Sequence, residues 1–199
     1  MPHHLHLAKD KKLQKAIAGQ EPFLLEKRQH VHLALISSII SQQLSTKVAA
    51  VIYKRFLDLF KKKHPRPADI LAIPFEQLRG IGLSNAKANY VLNVCRFFVE
   101  EKLTDNQLHK MEDEELIVFL TQIKGIGRWT VEMILMFTLG REDVFAVDDL
   151  GIQQAMTKLY KLDPADKKAM RIKMVTIADK WRPYRTYACR YLWRWKDAK

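Results

Sequence analysis

Cysteine is almost missing from this chain of 199 residues, which carries only Cys95 and Cys189. Two thiols cannot build a disulfide framework, a four-cysteine zinc site or an iron–sulfur cluster. Both fall inside apolar helical patterns and read as buried structural thiols. Glycine and proline are scarce at 7 each, and no segment alternates β-branched or aromatic residues with polar ones for long enough to read as a strand. The expected fold class is therefore all-α. No run of about 18 apolar residues is available to cross a bilayer. The N-terminus also lacks the charged, apolar, small-residue order of a secretory signal, so a soluble, cytoplasmic protein is expected. Acidic residues are in deficit as well: 22 Asp and Glu face 34 Lys and Arg, a net charge of +12. That imbalance is the electrostatic footprint of a nucleic-acid binder. An anionic membrane would attract the same charge, but the chain offers no isolated amphipathic anchor.

What is present is helical periodicity. Apolar positions are nearly continuous from Val31 to Ile40, and Val48, Val51, Ile52, Phe56, Leu59 and Phe60 recur at steps of three and four. His64-Pro65-Arg66-Pro67 stops that second helix. Two segments share a pattern: Leu78-Arg79-Gly80-Ile81-Gly82 precedes a helix over Ala86 to Phe98, and Ile123-Lys124-Gly125-Ile126-Gly127 precedes one over Trp129 to Leu139. Each reads as helix, glycine turn, helix. A basic and aromatic tail, from Trp181 through Tyr187 and Trp193 to Trp195, is helical after Pro183. No Ser-, Gly- or Pro-rich linker divides the chain, so two closely packed helical lobes are expected, with 48% hydrophobic content to fill their cores.

A Gly-hydrophobic-Gly turn lets the backbone approach a ligand closely, and exposed amides at a helix start suit a phosphate. The same turn serves equally as a tight helix corner. Lys124 and Arg128 tip the second copy toward phosphate contact, whereas Gly80 to Gly82 reads as structural. Further on, Asp148-Asp149 opens a helix beginning near Leu150. An Asp there is a natural N-cap. Two adjacent carboxylates cannot share one cap, however, and an ionised Asp facing helix amides suits a cationic transition state. Lys61-Lys62-Lys63 and the set Arg182, Arg185, Arg190 and Arg194 read either as DNA contacts or as solvated faces. The histidines at positions 3, 4 and 6 read as an incidental or disordered end and not as a metal cluster.

The run Leu120-Thr121-Gln122-Ile123-Lys124-Gly125-Ile126-Gly127-Arg128-Trp129-Thr130, with Asp149 twenty residues beyond Trp129, resembles the helix-hairpin-helix, Gly/Pro-rich, Asp (HhH-GPD) superfamily of DNA glycosylases. Within it the chain is similar to the bacterial 3-methyladenine DNA glycosylase II branch. The resemblance extends from about Leu35 to Trp193. It implies a two-lobed helical fold with the active site in the interlobe cleft. Residues 1–30 and 145–199 would form one lobe, and 31–144 a central barrel carrying the hairpin at 120–139. The roughly thirty residues before the first strong helix leave no room for the N-terminal β domain of some relatives.

Carried over by position, Asp149 takes the catalytic place and Asp148 a structural one. Branches that also cut the strand place a nucleophilic Lys where this chain has Trp129, so water is the implied nucleophile. Trp129, Trp193, Tyr187 and Met133 are the implied walls of the base pocket. Met133 departs from relatives that carry an aromatic there. Ser41-Gln42-Gln43-Leu44-Ser45 resembles the minor-groove loop, with Leu44 as the wedge and Gln43 beside it. On the residues alone Leu44 reads as core and Trp129 equally as core. Lys124, Gly125, Gly127, Arg128 and Thr130 are the implied DNA grip, and the carbonyls of Thr121, Ile123 and Gly125 the implied holders of Na⁺ or K⁺. No cofactor is required and no iron–sulfur cluster is expected. The implied protein is a monomer acting on double-stranded DNA with alkylated bases. The alternatives are a glycosylase for uracil or an oxidised purine, and a non-catalytic scaffold that only grips phosphates.

Overall fold

The computed structural model describes residues 1–198. Among them run α1 (Pro2–Leu7), α2 (Leu13–Ile17), α3 (Val31–Ser41), α4 (Thr46–Asp58), α5 (Pro67–Leu71), α6 (Phe75–Gly80) and α7 (Asn85–Glu100). There follow α8 (Asp105–Lys110), α9 (Asp113–Leu120), α10 (Arg128–Phe137), α11 (Leu150–Tyr160), α12 (Lys167–Ala178) and α13 (Arg185–Asp197), with a 3-10 turn at Asp179–Trp181. No strand occurs among the described residues. The chain divides into two compact units, one of residues 28–134 and one of residues 1–27 with 135–199.

In the middle unit the near-continuous apolar run becomes a buried helix. Leu35, Ile36, Ile39 and Ile40 of α3 are sealed, as are Val91, Val94 and Cys95 of α7, on which α3 packs. A helix that is apolar nearly all round belongs inside. Its N-terminus has no cap of its own because His30 sits in the left-handed region at φ 66°. Asp105, at the start of α8, supplies one: its carboxylate accepts from the amides of His30 at 2.6 Å and Val31 at 2.9 Å. At the other end Lys87 of α7 donates to the carbonyls of Ile40 at 2.8 Å and Gln42 at 2.7 Å. A cation at a helix C-terminus opposes the macrodipole there. Ser45 caps α4 and Ser84 caps α7 through their hydroxyls.

In the terminal unit α13 packs on α11 and α2, burying Tyr187, Ala188, Tyr191 and Leu192 with Ile152, Ala155 and Met156. Asp10 lies where α1 meets α2, and its carboxylate accepts from Tyr160 Oη at 2.7 Å, Trp181 Nε1 at 3.1 Å and the amides of Lys12 and Leu13. Burial works against its charge. The hydrogen bonds from Tyr160, Leu13, Trp181 and Lys12 outweigh that penalty and hold its pKa below the usual value.

Two expectations change. The N-terminal stretch is ordered: His3 is buried in α1 with its ring stacked on Tyr187 at 3.9 Å, because α13 offers it an aromatic wall. Helix α12 was not legible as such in the sequence. The division between units also falls earlier than 31 and 145. Residues 135–144 belong with the termini because Gly140 packs on the Glu26 backbone, and because Thr186 donates to Arg141 O at 2.7 Å and accepts from the Val144 amide at 3.0 Å.

Candidate active site

In the terminal unit Asp149 caps α11 with extended backbone, and its Oδ1 accepts from the Ile152 amide at 2.8 Å. The same oxygen accepts a second hydrogen bond, from Trp193 Nε1 at 2.8 Å. Gln153 steadies the approach to the cap by donating to Val147 O at 2.9 Å. Asp148 points elsewhere, exposed and ion-paired with Arg171. The adjacent acids are thus divided: one caps the helix and the other pairs on the surface.

Trp193 is half-buried, and the exposed ring of Phe137 lies 5.7 Å from it. Nothing in the sequence marked Phe137. Tyr187, expected at the pocket, is a core residue instead, only 2% exposed, covered by His3 and Phe23 and donating to Glu142 at 2.9 Å. Burial and the Glu142 partner push its hydroxyl up to about 12. The tail arginines are tied within this unit. Arg182 and Arg185 clasp Asp143, at 2.6 and 2.7 Å, and Arg190 and Arg194 cover the Phe23 ring, each 4.2 Å from its centroid.

In the middle unit both glycine turns form, but in a different register from the one the repeated letters suggest. The residue with positive φ is Gly82 in the first and Gly125 in the second, each at 107°. Gly82-Leu83-Ser84 therefore corresponds to Gly125-Ile126-Gly127, a two-residue shift, with buried Leu83 matching buried Ile126. A β-carbon on Gly125 would fall 2.7 Å from both Cδ atoms of Tyr90, so this glycine is demanded twice, by φ and by contact. Asn93 of α7 braces the same turn by donating to Lys124 O at 3.2 Å. Lys124 and Gly127 are exposed, Gly125 is partly so, and Ile126 turns inward.

Two expected DNA contacts are otherwise engaged. Thr130 is 3% exposed and its side chain faces the core, where the first turn of α10 packs. Arg128 holds Glu114 with a bidentate pair at 2.6 and 3.0 Å and Glu132 at 3.1 Å. Leu44, which reads as core on the residues alone, and Trp129, which reads equally as core, are not core. Trp129 is 40% exposed and Leu44 is 38% exposed. Met133 is half-buried on α10. Gln43 has φ 59° and presents Leu44 at the turn between α3 and α4, a turn whose Gln42 carbonyl Lys87 holds. Lys87 was not foreseen, since a lone Lys on a helix carries no signal of its partner.

Of the carbonyls implied to hold a cation, that of Ile123 already accepts from the Ile126 amide at 2.9 Å, which leaves one lone pair. Among the described residues no group of three His, Cys, Asp or Glu is placed to hold a metal ion. No helix of the described residues is long and apolar enough to cross a membrane.

An all-helical protein with a glycine hairpin braced for backbone approach, an exposed apolar turn and a carboxylate capping a helix beneath an indole has the parts of a helix-hairpin-helix DNA repair protein. Comparison with known proteins agrees. Residues 36–179 match the family described as HhH-GPD superfamily base excision DNA repair protein, and the chain belongs to that family. It is 35% identical over 186 residues to DNA-3-methyladenine glycosylase 1 of Schizosaccharomyces pombe, covering 92% of this chain and 80% of that protein. To the YfjP protein of Bacillus subtilis it is 35% identical over 170 residues, 82% of this chain but 58% of that protein. A solved structure of the S. pombe 3-methyladenine DNA glycosylase Mag1 in complex with abasic DNA aligns with TM-score 0.83 and 32% identity, over 98% of this chain and 96% of that one.

Proposed function

We propose that the chain is a monofunctional DNA glycosylase of base excision repair, which flips alkylated purines of the 3-methyladenine and 7-methylguanine type from duplex DNA and hydrolyses their N-glycosidic bond. The observation that carries this reading is Asp149, a carboxylate held at the start of α11 by an amide and an indole N–H. An alkylated purine is cationic and leaves as a neutral base, taking the electron pair of the C1′–N bond. Positive charge passes to the sugar, and a fixed carboxylate stabilises it there. Water then adds at C1′ and releases a proton to solvent.

Indole faces attract a cationic base by cation–π contact and stacking, about 1–3 kcal/mol per stacked base. Exposed Leu44 suits the role of wedge, offsetting part of the few kcal/mol that unstacking costs. Amides of the Gly125 turn, with Lys124, suit a DNA phosphate. A monovalent cation on the carbonyls of Thr121, Ile123 and Gly125 belongs to the same reading, since carbonyls are neutral oxygen donors of the kind such an ion takes, and it would place positive charge behind that turn. The residue after Gly-Ile-Gly-Arg is Trp129, which has no amine, and this favours hydrolysis without strand cleavage. Names borne by the relatives support the same substrate class. A cytoplasmic monomer completes the reading.

The test is incubation with methylated duplex, identification of the released bases, and a strand-cleavage assay with and without hot alkali. Free 3-methyladenine and 7-methylguanine with nicks only after alkali is the expected result. Binding without release would make the protein a scaffold, and release restricted to uracil or oxidised purines would replace the substrate.

A further inference from the structure

Resting on the glycosylase reading and going one step inside it, we propose that Trp193 is a positioning residue for Asp149, acting through its indole N–H, and that residue 151 is glycine to make room for that bond. An ordinary N-cap carboxylate is held by helix amides alone and can swing about its terminal torsion, which is broad for Asp. Here Oδ1 accepts from two directions at equal length, 2.8 Å from the Ile152 amide on α11 and 2.8 Å from Trp193 Nε1 on α13. Two donors on one oxygen stop the rotation and set the carboxylate plane before substrate arrives. Preorganised charge of this kind lowers a barrier because no reorganisation is needed at the moment of reaction.

The bond orients the donor too. An indole N–H lies in the ring plane, so fixing its direction fixes the ring face, and Phe137 at 5.7 Å backs the same ring. One hydrogen bond therefore sets both the charge and the aromatic surface beside it.

Gly151 is the clearance that permits it. A β-carbon built there would lie 3.0 Å from Trp193 Cδ1, 3.1 Å from Trp193 Nε1 and 3.1 Å from Asp149 Oδ1, wedged against both partners of the bond. The two Trp193 atoms belong to a rigid ring, and Asp149 Oδ1 is pinned by its two donors. The backbone at Gly151 is helical, so no positive φ explains the glycine. The contact does.

The test compares Trp193→Phe, Gly151→Ala and Asp149→Asn, singly and as the Asp149→Asn/Trp193→Phe double variant, on a 7-methylguanine duplex in single turnover. Phe keeps an aromatic face and loses only the donor. Trp193→Phe is expected to slow excision about 10- to 100-fold, the size of one hydrogen bond to a charged group, with affinity for abasic duplex changed less than about threefold. In the Asp149→Asn background the same change should cost nothing further, since its effect runs through Asp149. Gly151→Ala should slow excision in the same direction while the melting temperature stays within a few degrees of wild type, because the helix propensity gained, about 1 kcal/mol, offsets the cost of the displaced bond and contact. A Trp193→Phe enzyme at wild-type rate, losses that multiply in the double variant, or an unimpaired Gly151→Ala would each overturn the proposal.

The Trp193 indole N–H resonance supplies a reading independent of turnover. It should shift in both Asp149→Asn and Gly151→Ala, and invariance in both refutes the bond. If the wild type releases no base, the glycosylase reading fails while this resonance still decides the geometry.

Discussion

Replacing Asp149 by Asn and by Ala separates a catalytic acid from a helix cap. Asn caps about as well as Asp, and its amide oxygen can still accept from the Ile152 amide and Trp193 Nε1 as Oδ1 does now. The stability of Asp149→Asn should therefore stay within about 0.5 kcal/mol of wild type. Its charge is gone, and removal of one electrostatic stabiliser costs about 2.7–4 kcal/mol, roughly 10²–10³ in rate. Asp149→Ala also loses the cap, about 1 kcal/mol, and strips a half-buried indole N–H of its acceptor, about 1 kcal/mol more at the low end for such a loss. Ala should thus be some 2 kcal/mol less stable, and Asn should not. Thermal unfolding reads the first quantity, single-turnover release of 7-methylguanine the second, and fluorescence anisotropy with an abasic duplex checks that binding persists. An Asn variant that excises at wild-type rate, or a rate loss that appears only in the unstable Ala variant, would reduce Asp149 to a cap and refute the reasoning.

Gly125→Ala should destabilise the protein by about 1–3 kcal/mol, since it demands positive φ of a side-chain residue against the Tyr90 ring; DNA affinity should fall with it, as melting and anisotropy together would report. Lys87→Met removes the donor to the Ile40 and Gln42 carbonyls, and faster hydrogen exchange confined to the turn that presents Leu44 is expected. Burial, chiefly desolvation, lowers the pKa of His32 below 6.5, against the opposing pull of its bond to Pro65 O. The unfolded chain then binds the proton more readily than the fold. The stability His32 confers is complete above pH 6.5 and declines as pH falls below it. Chemical denaturation of wild type and His32→Gln between pH 7.5 and 5 should show the slope in the former and a flatter line in the latter.

Much was legible from residues alone because the signals are local or compositional. The scarcity of glycine and proline and the positive charge are sums over the chain, while helical periodicity, the Gly-Ile-Gly turn and the Asp at the head of α11 each depend on neighbours within a few positions. The side chains around the site depend on partners far along the chain. Asp149 and Trp193 meet only because α11 packs on α13. Gly151 is explained only by the ring that lands on it. Tyr187 left the expected pocket because His3, from a stretch that reads as incidental, stacks on it. Asp105 and Lys87 secure the two ends of α3 from other helices. Propensity and spacing are properties of a segment, so sequence by itself determined the class of fold and the place of the Asp that caps α11. Hydrogen-bond partners, burial and the register of the two glycine turns belong to packing between segments, and only the tertiary structure decided those.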